Sequence, residues 1–324
     1  MSEKLREFIK PMRDWKTAAH LIYLPAVRLG DSTIRKAIDA GGYLRLCPEV
    51  VVPTHIWNGL KPWEKDEVRI QAVGMSVDKA VLVGRSAARV HGLPVPHGDA
   101  YVELNLPGRN RRPPKKQWPT GVRYWSAHLR EDNVMERNGL RVTDIPRTLL
   151  DIARRHGVEE AIVTCDAALS MKGATKQMLA KRFDDFGPVP GIALAREALE
   201  LADPRSESPL ESWGRAQIVT ADLPELISLD VQVPVLGGKY RIDQVLNGSI
   251  ANELHGDVKY DGATTGTDAV TQMKKDRERE RVLQNEGYQM LHAGYRHLVR
   301  KQGDESEFIG MVREALRAER RMAA

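Results

Sequence analysis

The chain has only two cysteines among its 324 residues, and it lacks any long hydrophobic run. Cys47 and Cys165 lie far apart without a Cys-x-x-Cys spacing, so neither a disulfide framework nor a cysteine-based zinc site is expected. No stretch of about eighteen apolar residues is present to cross a bilayer. The first seven residues mix both charge signs and lack the apolar centre of a signal peptide. These absences predict a cytoplasmic protein with no membrane partner.

The composition is moderately basic. The formal charge is +5 and the isoelectric point is about 9.1, which fits a nucleic-acid partner but does not establish one. The length predicts two or three domains. We expect three, at residues 1–90, 91–202 and 203–324, because the segment 203–209 (Asp-Pro-Arg-Ser-Glu-Ser-Pro) reads as a linker.

Residues 1–90 show the order helix, helix and strand pair. A helix is predicted over residues 33–40, capped by Asp31 or Ser32 and ended by Gly41-Gly42, and strands are predicted at 43–47 and 50–52. This order is typical of a winged helix-turn-helix. The residues then expected to contact DNA are Thr33, Arg35 and Lys36 on the recognition helix and Arg45 on the wing. The alternative is a small helical domain with solvated charges.

Residues 91–202 form a different, α/β block. Strands are predicted at 101–106 and 122–125, and helices from residue 145 to about residue 201. Between the two strands lies a basic segment with two prolines, where Arg109, Arg111 and Arg112 could follow a phosphate backbone. A solvated loop is the alternative interpretation of such a charge run.

Residues 240–260 carry the strongest chemical signal. They read as a strand, an Asn-Gly turn and a second strand, with Asp243 on the first strand and Glu253 and His255 on the second. Carboxylates on adjacent strands can hold a divalent metal, which polarises a phosphodiester and activates a water for attack. The pattern is that of a metal-dependent nuclease.

The turn between these strands sets a geometric requirement. A two-residue Asn247-Gly248 turn would pair Asp243 with Asn252 and put Asp243 and Glu253 on opposite faces. A shared metal needs both carboxylates on one face. The nuclease interpretation therefore predicts a three-residue loop or a bulge in this hairpin.

The C-terminal third resembles the PD-(D/E)XK nuclease superfamily, in the branch related to very-short-patch repair endonucleases. The matching residues are Ser208-Pro-Leu-Glu211-Ser, Arg241-Ile-Asp243, Glu253-Leu-His255-Gly-Asp-Val-Lys259-Tyr260, Lys275-Asp-Arg-Glu-Arg279 and Gly287-Tyr288. The resemblance covers about residues 206–300. It implies a restriction-endonuclease-like mixed sheet flanked by helices, and Mg²⁺ or Mn²⁺ as cofactor.

The resemblance also suggests a role for each site residue. Asp243 and Glu253 would bind the metal, with Glu211 as a third carboxylate, although Ser208 and Glu211 also form a capping box. The standard motif has Lys two residues after the catalytic Glu, so His255 or Lys259 must replace it. His255 either binds metal, accepts a proton from water or is structural. Lys259 would bring positive charge to the scissile phosphate.

One further helix carries mixed charges. Most of residues 274–281 is expected to be a solvated face with local ion pairs. Lys275 and Arg279 share one face of this helix and are candidate phosphate contacts.

The first two-thirds of the chain resembles the AbiEi family of bacterial antitoxins and repressors. The matching stretches are Ala40-Gly-Gly-Tyr-Leu-Arg-Leu, residues 83–94 (Val-Gly-Arg-Ser-Ala-Ala-Arg-Val-His-Gly-Leu-Pro) and residues 142–151 (Val-Thr-Asp-Ile-Pro-Arg-Thr-Leu-Leu-Asp). Together the two resemblances imply a double-stranded-DNA-binding endonuclease that acts in phage defence. The alternative is an AbiEi-type repressor in a toxin–antitoxin pair, with an inactive nuclease fold kept for binding. A toxin or phage protein and a second copy of the chain are further candidate partners.

Overall fold

The computed structural model describes residues 9–27, 32–96, 101–107, 112–255 and 269–323, with side chains in the last range from residue 277 to residue 321. The chain divides between Glu200 and Leu201 into two compact units. Both units combine helices with sheets, so the α/β class expected from the sequence is confirmed. In the described ranges, no helix is long and apolar enough to span a membrane.

The first unit begins with short helices around a three-stranded antiparallel sheet of order β1-β3-β2. Its elements are α1 (Trp15–Ala18), β1 (Ile22–Tyr23), α2 (Ser32–Asp39), β2 (Tyr43–Cys47), β3 (Val50–Pro53), α3 (Thr54–Gly59) and α4 (Pro62–Ser76). Gly41 follows α2 with a φ of +77°, which glycine adopts without strain. The helix and the two strands expected between residues 33 and 52 are confirmed.

A five-stranded mixed sheet of order β6-β5-β4-β8-β7 follows. Its elements are β4 (Val81–Leu82), α5 (Gly84–His91), β5 (Val102–Asn105), β6 (Val122–Trp125), β7 (Val134–Arg137) and β8 (Leu140–Thr143). The β4–β8 and β5–β6 pairs are parallel. The sequence predicted β5 and β6, whereas β4, β7 and β8 were missed. Strand β4 has only two residues, which is too few to show alternation.

One hydrophobic core joins the two sheets of the first unit. Buried Val50 and Val52 of β3 belong to the same cluster as Leu104 of β5 and Val142 of β8. Helix α4 contacts strands of both sheets. Residues 1–90 and 91–200 therefore share a core.

Four helices complete the first unit, as the sequence predicted for residues 145–201. They are α6 (Ile145–His156), α7 (Val158–Ser170), α8 (Lys176–Phe186) and α9 (Ile192–Leu201). The Asp144 carboxylate caps α6 by accepting a 2.9 Å hydrogen bond from the Arg147 amide. Pro146 stands in the first turn, where its missing N–H has no partner to lose.

The second unit is built on a four-stranded sheet of order β12-β11-β10-β9, in which only β11 and β12 are parallel. Its elements are α10 (Pro209–Thr220), β9 (Leu229–Val235), β10 (Tyr240–Leu246), β11 (Ile250–His255), α11 (Ala269–Asn285), β12 (Gln289–Gly294), α12 (Tyr295–Val299), β13 (Lys301–Gln302), β14 (Glu305–Ser306) and α13 (Glu307–Ala323). The mixed sheet with helices before and after the hairpin is confirmed. Helix α12 and the β13–β14 hairpin were not predicted.

Helix α10 packs closely on this sheet at Gly214. A Cβ added there would lie 2.5 Å from Leu254 Cδ1, so only glycine lets the helix approach β11 this closely. Trp213 and Ile218 of the same helix are buried. The contact matters for the site because Glu211 lies one turn before Gly214 and Glu253 lies next to Leu254.

We expect Gly214→Ala to destabilise the second unit by about 1–3 kcal/mol, because the added methyl group overpacks a buried helix–strand contact. Gly310→Ala is the matched control. Gly310 is also helical, but its nearest neighbour, Gln302 Oε1, lies 3.8 Å from the added Cβ, so this change should stabilise by roughly 0.5–1 kcal/mol. Denaturant unfolding followed by circular dichroism measures both. Equal effects of the two substitutions would contradict the close approach.

Candidate active site of the second unit

The β10–β11 hairpin has the three-residue loop that a shared site requires. Leu246 pairs with Ile250, which leaves Asn247, Gly248 and Ser249 in the turn, and Gln244 pairs with Asn252. Asn247 and Gly248 have φ values of +50° and +74°. Continuing this register by one residue places Asp243 opposite Glu253. Residues opposite each other in an antiparallel pair lie on one face, so the expected loop is confirmed.

The two strands part next to this position. The paired residues end at Gln244 and Asn252, and the Leu254 amide donates a 3.1 Å hydrogen bond to Oδ2 of Asp243. The Asp243 side chain thus takes a bond that a continuing ladder would give to a backbone carbonyl. Its carboxylate therefore lies against the backbone of β11, directly after Glu253.

Glu211 reaches this region from the first turn of α10. Its carboxylate accepts hydrogen bonds from Ser208 Oγ at 2.8 Å, from the Glu207 amide at 2.9 Å and from Gln232 Nε2 at 2.7 Å. The Ser208 hydroxyl in turn accepts from the Glu211 amide. The capping interaction is therefore confirmed. Capping also fixes the carboxylate, because it holds the side chain in one orientation.

Burial and the neighbouring Asp243 charge raise the pKa of Glu211 above its ordinary value of 4.5. Hydrogen bonds from Glu207 and Ser208 oppose this shift without cancelling it. Glu211 and Asp243 are thus close enough to repel each other in a poorly solvated place. A cation between them would relieve the repulsion.

Gln232 was missed by sequence reasoning. It lies in β9 with a φ of +57°, which non-glycine residues adopt rarely and at a cost of about 1–3 kcal/mol. The pairing of β9 with β10 skips Gln232 and Asp243, while the residues on both sides stay in register. This irregularity accompanies the hydrogen bond from Gln232 to Glu211. The sequence gives no signal for it.

Glu253 is buried and forms an ion pair. Its side chain is 3% exposed, and its Oε1 lies 2.6 Å from Arg279 Nη2. The same guanidinium nitrogen donates to the Arg241 carbonyl at 2.7 Å, which β10 leaves available where the strands part. Arg279, expected as a phosphate contact, therefore holds the carboxylate expected to bind metal.

His255 stacks on His292 of the neighbouring parallel strand. The ring centroids are 5.4 Å apart with an interplanar angle of 20°, and His255 Nε2 lies 3.2 Å from His292 Nδ1. A hydrogen bond between two imidazole nitrogens needs one donor and one acceptor. His292 Nε2 also lies 3.6 Å from Glu280. His292 was missed because it is paired with Glu253 only by the β11–β12 register.

Several predicted residues lie elsewhere or outside the described ranges. Lys259, Arg109 and Arg111 lie outside them, as does the side chain of Lys275. Thr33, Arg35, Lys36, Arg45 and Arg112 belong to the first unit, where all five are exposed. The Arg45 guanidinium donates to the Pro48 carbonyl, and Arg112 lies over the Trp118 ring.

The donor set fits a divalent cation in part. Among the side chains that the structure describes, no three from His, Cys, Asp and Glu are grouped to hold a metal ion. The three predicted carboxylates, Glu211, Asp243 and Glu253, are thus not grouped around one metal position. Glu253 forms an ion pair with Arg279 instead. However, Mg²⁺ usually takes only one or two carboxylates and completes its shell with water and phosphate. Glu211 and Asp243 supply that number of carboxylates.

A scan against protein-family models finds no match for the chain, and no curated protein sequence matches it. The resemblances to nucleases and to AbiEi antitoxins therefore stay predictions based on motifs.

We expect Glu211→Gln to flatten the pH dependence of stability. Because the pKa of Glu211 is higher in the folded state, the folded chain binds more protons than the unfolded chain above pH 4.5. Its contribution to the free energy of unfolding therefore falls as pH rises through the raised pKa. Denaturant unfolding of wild type and variant across this interval measures the difference in slope. Identical slopes would contradict the strained carboxylate pair.

Proposed function

We propose that the second unit hydrolyses phosphodiester bonds of double-stranded DNA with Mg²⁺ or Mn²⁺, and that the first unit binds DNA. The observation that carries the proposal is the three-residue loop, which puts Asp243 opposite Glu253. A hairpin with an Asn-Gly turn needs no third loop residue for its own stability. A role in defence against foreign DNA rests on the resemblance alone.

Each residue of the site has a proposed role in the reaction. Glu211 and Asp243 would hold the metal, and Glu253 would keep Arg279 in place beside it. A bound Mg²⁺ would polarise the scissile phosphate and lower the pKa of the attacking water. His255 is positioned to accept a proton, since its contact with His292 can fix which ring nitrogen carries hydrogen. Arg279 brings a positive charge that can stabilise negative charge on the phosphate.

The first unit supports a DNA-binding role through exposed basic residues on two adjoining elements. Arg35 and Lys36 are exposed on α2, in which no residue is buried, and Arg45 is exposed on β2. Helix α2 packs next to β2. Strand β2 is an edge strand of the three-stranded sheet, and in a helix-turn-helix protein the recognition helix enters the major groove.

A second candidate is a DNA-binding repressor whose nuclease-like unit does not cut. The observation that favours it is the Arg279–Glu253 ion pair at 2.6 Å. In a repressor this pair would replace the metal permanently, because it neutralises the carboxylate without a cation. The standard lysine two residues after Glu253 is also replaced by His255.

We expect Glu253→Gln to reduce plasmid cleavage roughly 100-fold or more, the scale lost when one electrostatic group of an active site is removed. The change keeps size and hydrogen bonding but leaves Arg279 without its counter-charge. Cleavage of supercoiled plasmid with Mg²⁺, Mn²⁺ or EDTA measures this effect. Glu278→Gln is the matched control, because Glu278 pairs with Arg281 on the same helix at 2.8 Å and is exposed.

The two candidates differ in the wild-type result. Cleavage that needs a divalent cation and disappears in Glu253→Gln but not in Glu278→Gln supports the nuclease. DNA binding without cleavage under any of the three conditions supports the repressor. Cleavage undiminished in Glu253→Gln would sink the site assignment.

We expect the triple change Arg35→Gln, Lys36→Gln and Arg45→Gln to weaken DNA binding and to lower its salt slope by roughly one unit for each lost phosphate contact. The control removes the same charge from exposed positions elsewhere in the first unit, with Lys79→Gln, Lys172→Gln and Lys181→Gln. Fluorescence anisotropy with duplex DNA at several salt concentrations measures both. Equal salt slopes for the two variants would show that net charge alone, rather than this surface, sets the affinity.

A further inference from the structure

The first unit contains a cavity of about 420 Å³ that the proposed DNA chemistry does not use. It lies between the end of β6, helix α6 and the segment from the end of α8 to the start of α9. Its apolar wall includes Leu150, Phe186, Val189 and Leu194. A cavity of this size is within the range of small-ligand sites.

The opposite wall is cationic. Arg147, Arg154 and Arg155 of α6 line the cavity and surround Asp151 of the same helix. Arg147 Nε and Arg154 Nη2 lie 3.0 and 2.6 Å from Asp151 Oδ1, and Arg155 Nη2 lies 3.4 Å from Oδ2. The spacings of three and four residues put the three guanidinium groups beside one carboxylate. The side chains are 6%, 12% and 4% exposed.

The chain compensates this buried charge incompletely. Glu103 is a second nearby carboxylate, and it accepts hydrogen bonds from Trp125 Nε1 and from the Arg85 amide, with His156 Nε2 3.1 Å away. Asp144 also lies near Arg147, but it is paired with Arg182 at 2.7 Å. Three arginines against two carboxylates leave one positive charge in excess when His156 is neutral. Burial lowers the pKa of Arg154 to about 10, despite the opposing effect of Asp151. Burial also lowers the pKa of Arg155.

Several of these guanidinium nitrogens form no hydrogen bond of good geometry, although two of them lie close to Asp151. Within the described residues, neither Nη1 nor Nη2 of Arg155 forms a hydrogen bond, and Nη2 of Arg154 forms none of acceptable geometry. Buried polar groups are usually satisfied, and an unpaired buried charge is costly. These nitrogens belong to two of the three arginines and are buried, whereas guanidinium groups that line a cavity are in general suited to the oxygens of a phosphate.

Two aromatic residues that line the cavity could contact a flat ring of a ligand. Trp125 lines it, with the Arg155 guanidinium carbon 4.8 Å from the centre of its ring. Phe186 stands on the apolar wall at the end of α8. The backbone at Gly191 lies directly against Arg154. A Cβ at position 191 would lie only 2.1 Å from Arg154 Cβ. The aliphatic part of Arg154 is thus held against the backbone, which limits where its guanidinium can point.

We propose that this cavity binds a small phosphate monoester that carries a flat ring, of the nucleoside 5′-monophosphate class. The phosphate lies at Arg154 and Arg155, and the ring lies along the apolar wall toward Phe186 and Leu194. The site is independent of the carboxylates of the second unit, so it holds whether or not that unit cleaves DNA.

The test is isothermal titration of the full chain with a nucleoside 5′-monophosphate, with the unphosphorylated nucleoside and with inorganic phosphate. We expect the monophosphate to bind most tightly, because only it contacts both walls. Arg154→Gln should weaken its binding roughly tenfold or more, as one charge-assisted contact is lost. Arg196→Gln is the matched control. Arg196 pairs with Asp184 at 2.7 Å on nearby α9 but does not line the cavity.

A second variant keeps the test decisive if Arg154→Gln does not fold. Leu194 is 38% exposed, so Leu194→Trp fills the apolar wall without disturbing the core. It should weaken monophosphate binding and leave inorganic phosphate binding unchanged. No binding of the monophosphate at about 10 mM, where even a weak Kd is detected, would overturn the proposal. Equal affinity for monophosphate and nucleoside, or for monophosphate and phosphate, would also overturn it.

Discussion

The buried carboxylates of the second unit set the constraint on which the hairpin and its flanking helix depend. Glu211 and Glu253 are each less than 9% exposed, and a charged group in such a place must be paired or lose its charge. Arg279 neutralises Glu253. Glu211 instead receives three neutral hydrogen bonds while Asp243 repels it. The positive φ of Gln232 and the parting of the strands at Asp243 therefore accompany an electrostatic repulsion between Glu211 and Asp243. The hydrogen bonds to Glu211 offset this repulsion only in part.

The first unit also buries charged side chains, but there the charge is positive. There, one buried helix places Arg147, Arg154 and Arg155 around Asp151, and the excess is positive. In both units the buried charge lies beside a structural irregularity or a cavity rather than in the packed core. Replacing a whole buried charged group and its partners by well-packed apolar residues is often neutral or stabilising. Under the two proposals above, the charge retained in each unit binds an ion of opposite sign.

The sequence predicted those elements that begin or end at a local signal, such as a capping residue, a glycine or a turn. The Ser208 cap, the glycine stop after α2 and the Asn-Gly turn after β10 each predict structure from a few neighbouring residues. Strand β4 has only two residues and is too short for a pattern. Strands β4, β7 and β8 are stabilised by pairing within a sheet, which the sequence did not predict. The same distinction applies to the site. Asp243 and Glu253 could be predicted from their motif, whereas Gln232 and His292 reach the site only through register with other strands. Arg279 was predicted as a functional residue, but its partner depends on how α11 packs.

The ion pair between Arg279 and Glu253 need not exclude a metal. Glu211, Asp243 and Glu253 carry three negative charges when ionised, and Arg279 carries one positive charge, so these four groups together have a charge of −2. One divalent cation on Glu211 and Asp243 would neutralise that charge without displacing Arg279. The buried pair would then be costly to break, by about 3–5 kcal/mol when one partner is removed, and it would keep the guanidinium where a phosphate approaches the metal. On this argument Glu253 would act by positioning Arg279, and Arg279 would bind the phosphate together with the proposed metal instead of replacing it.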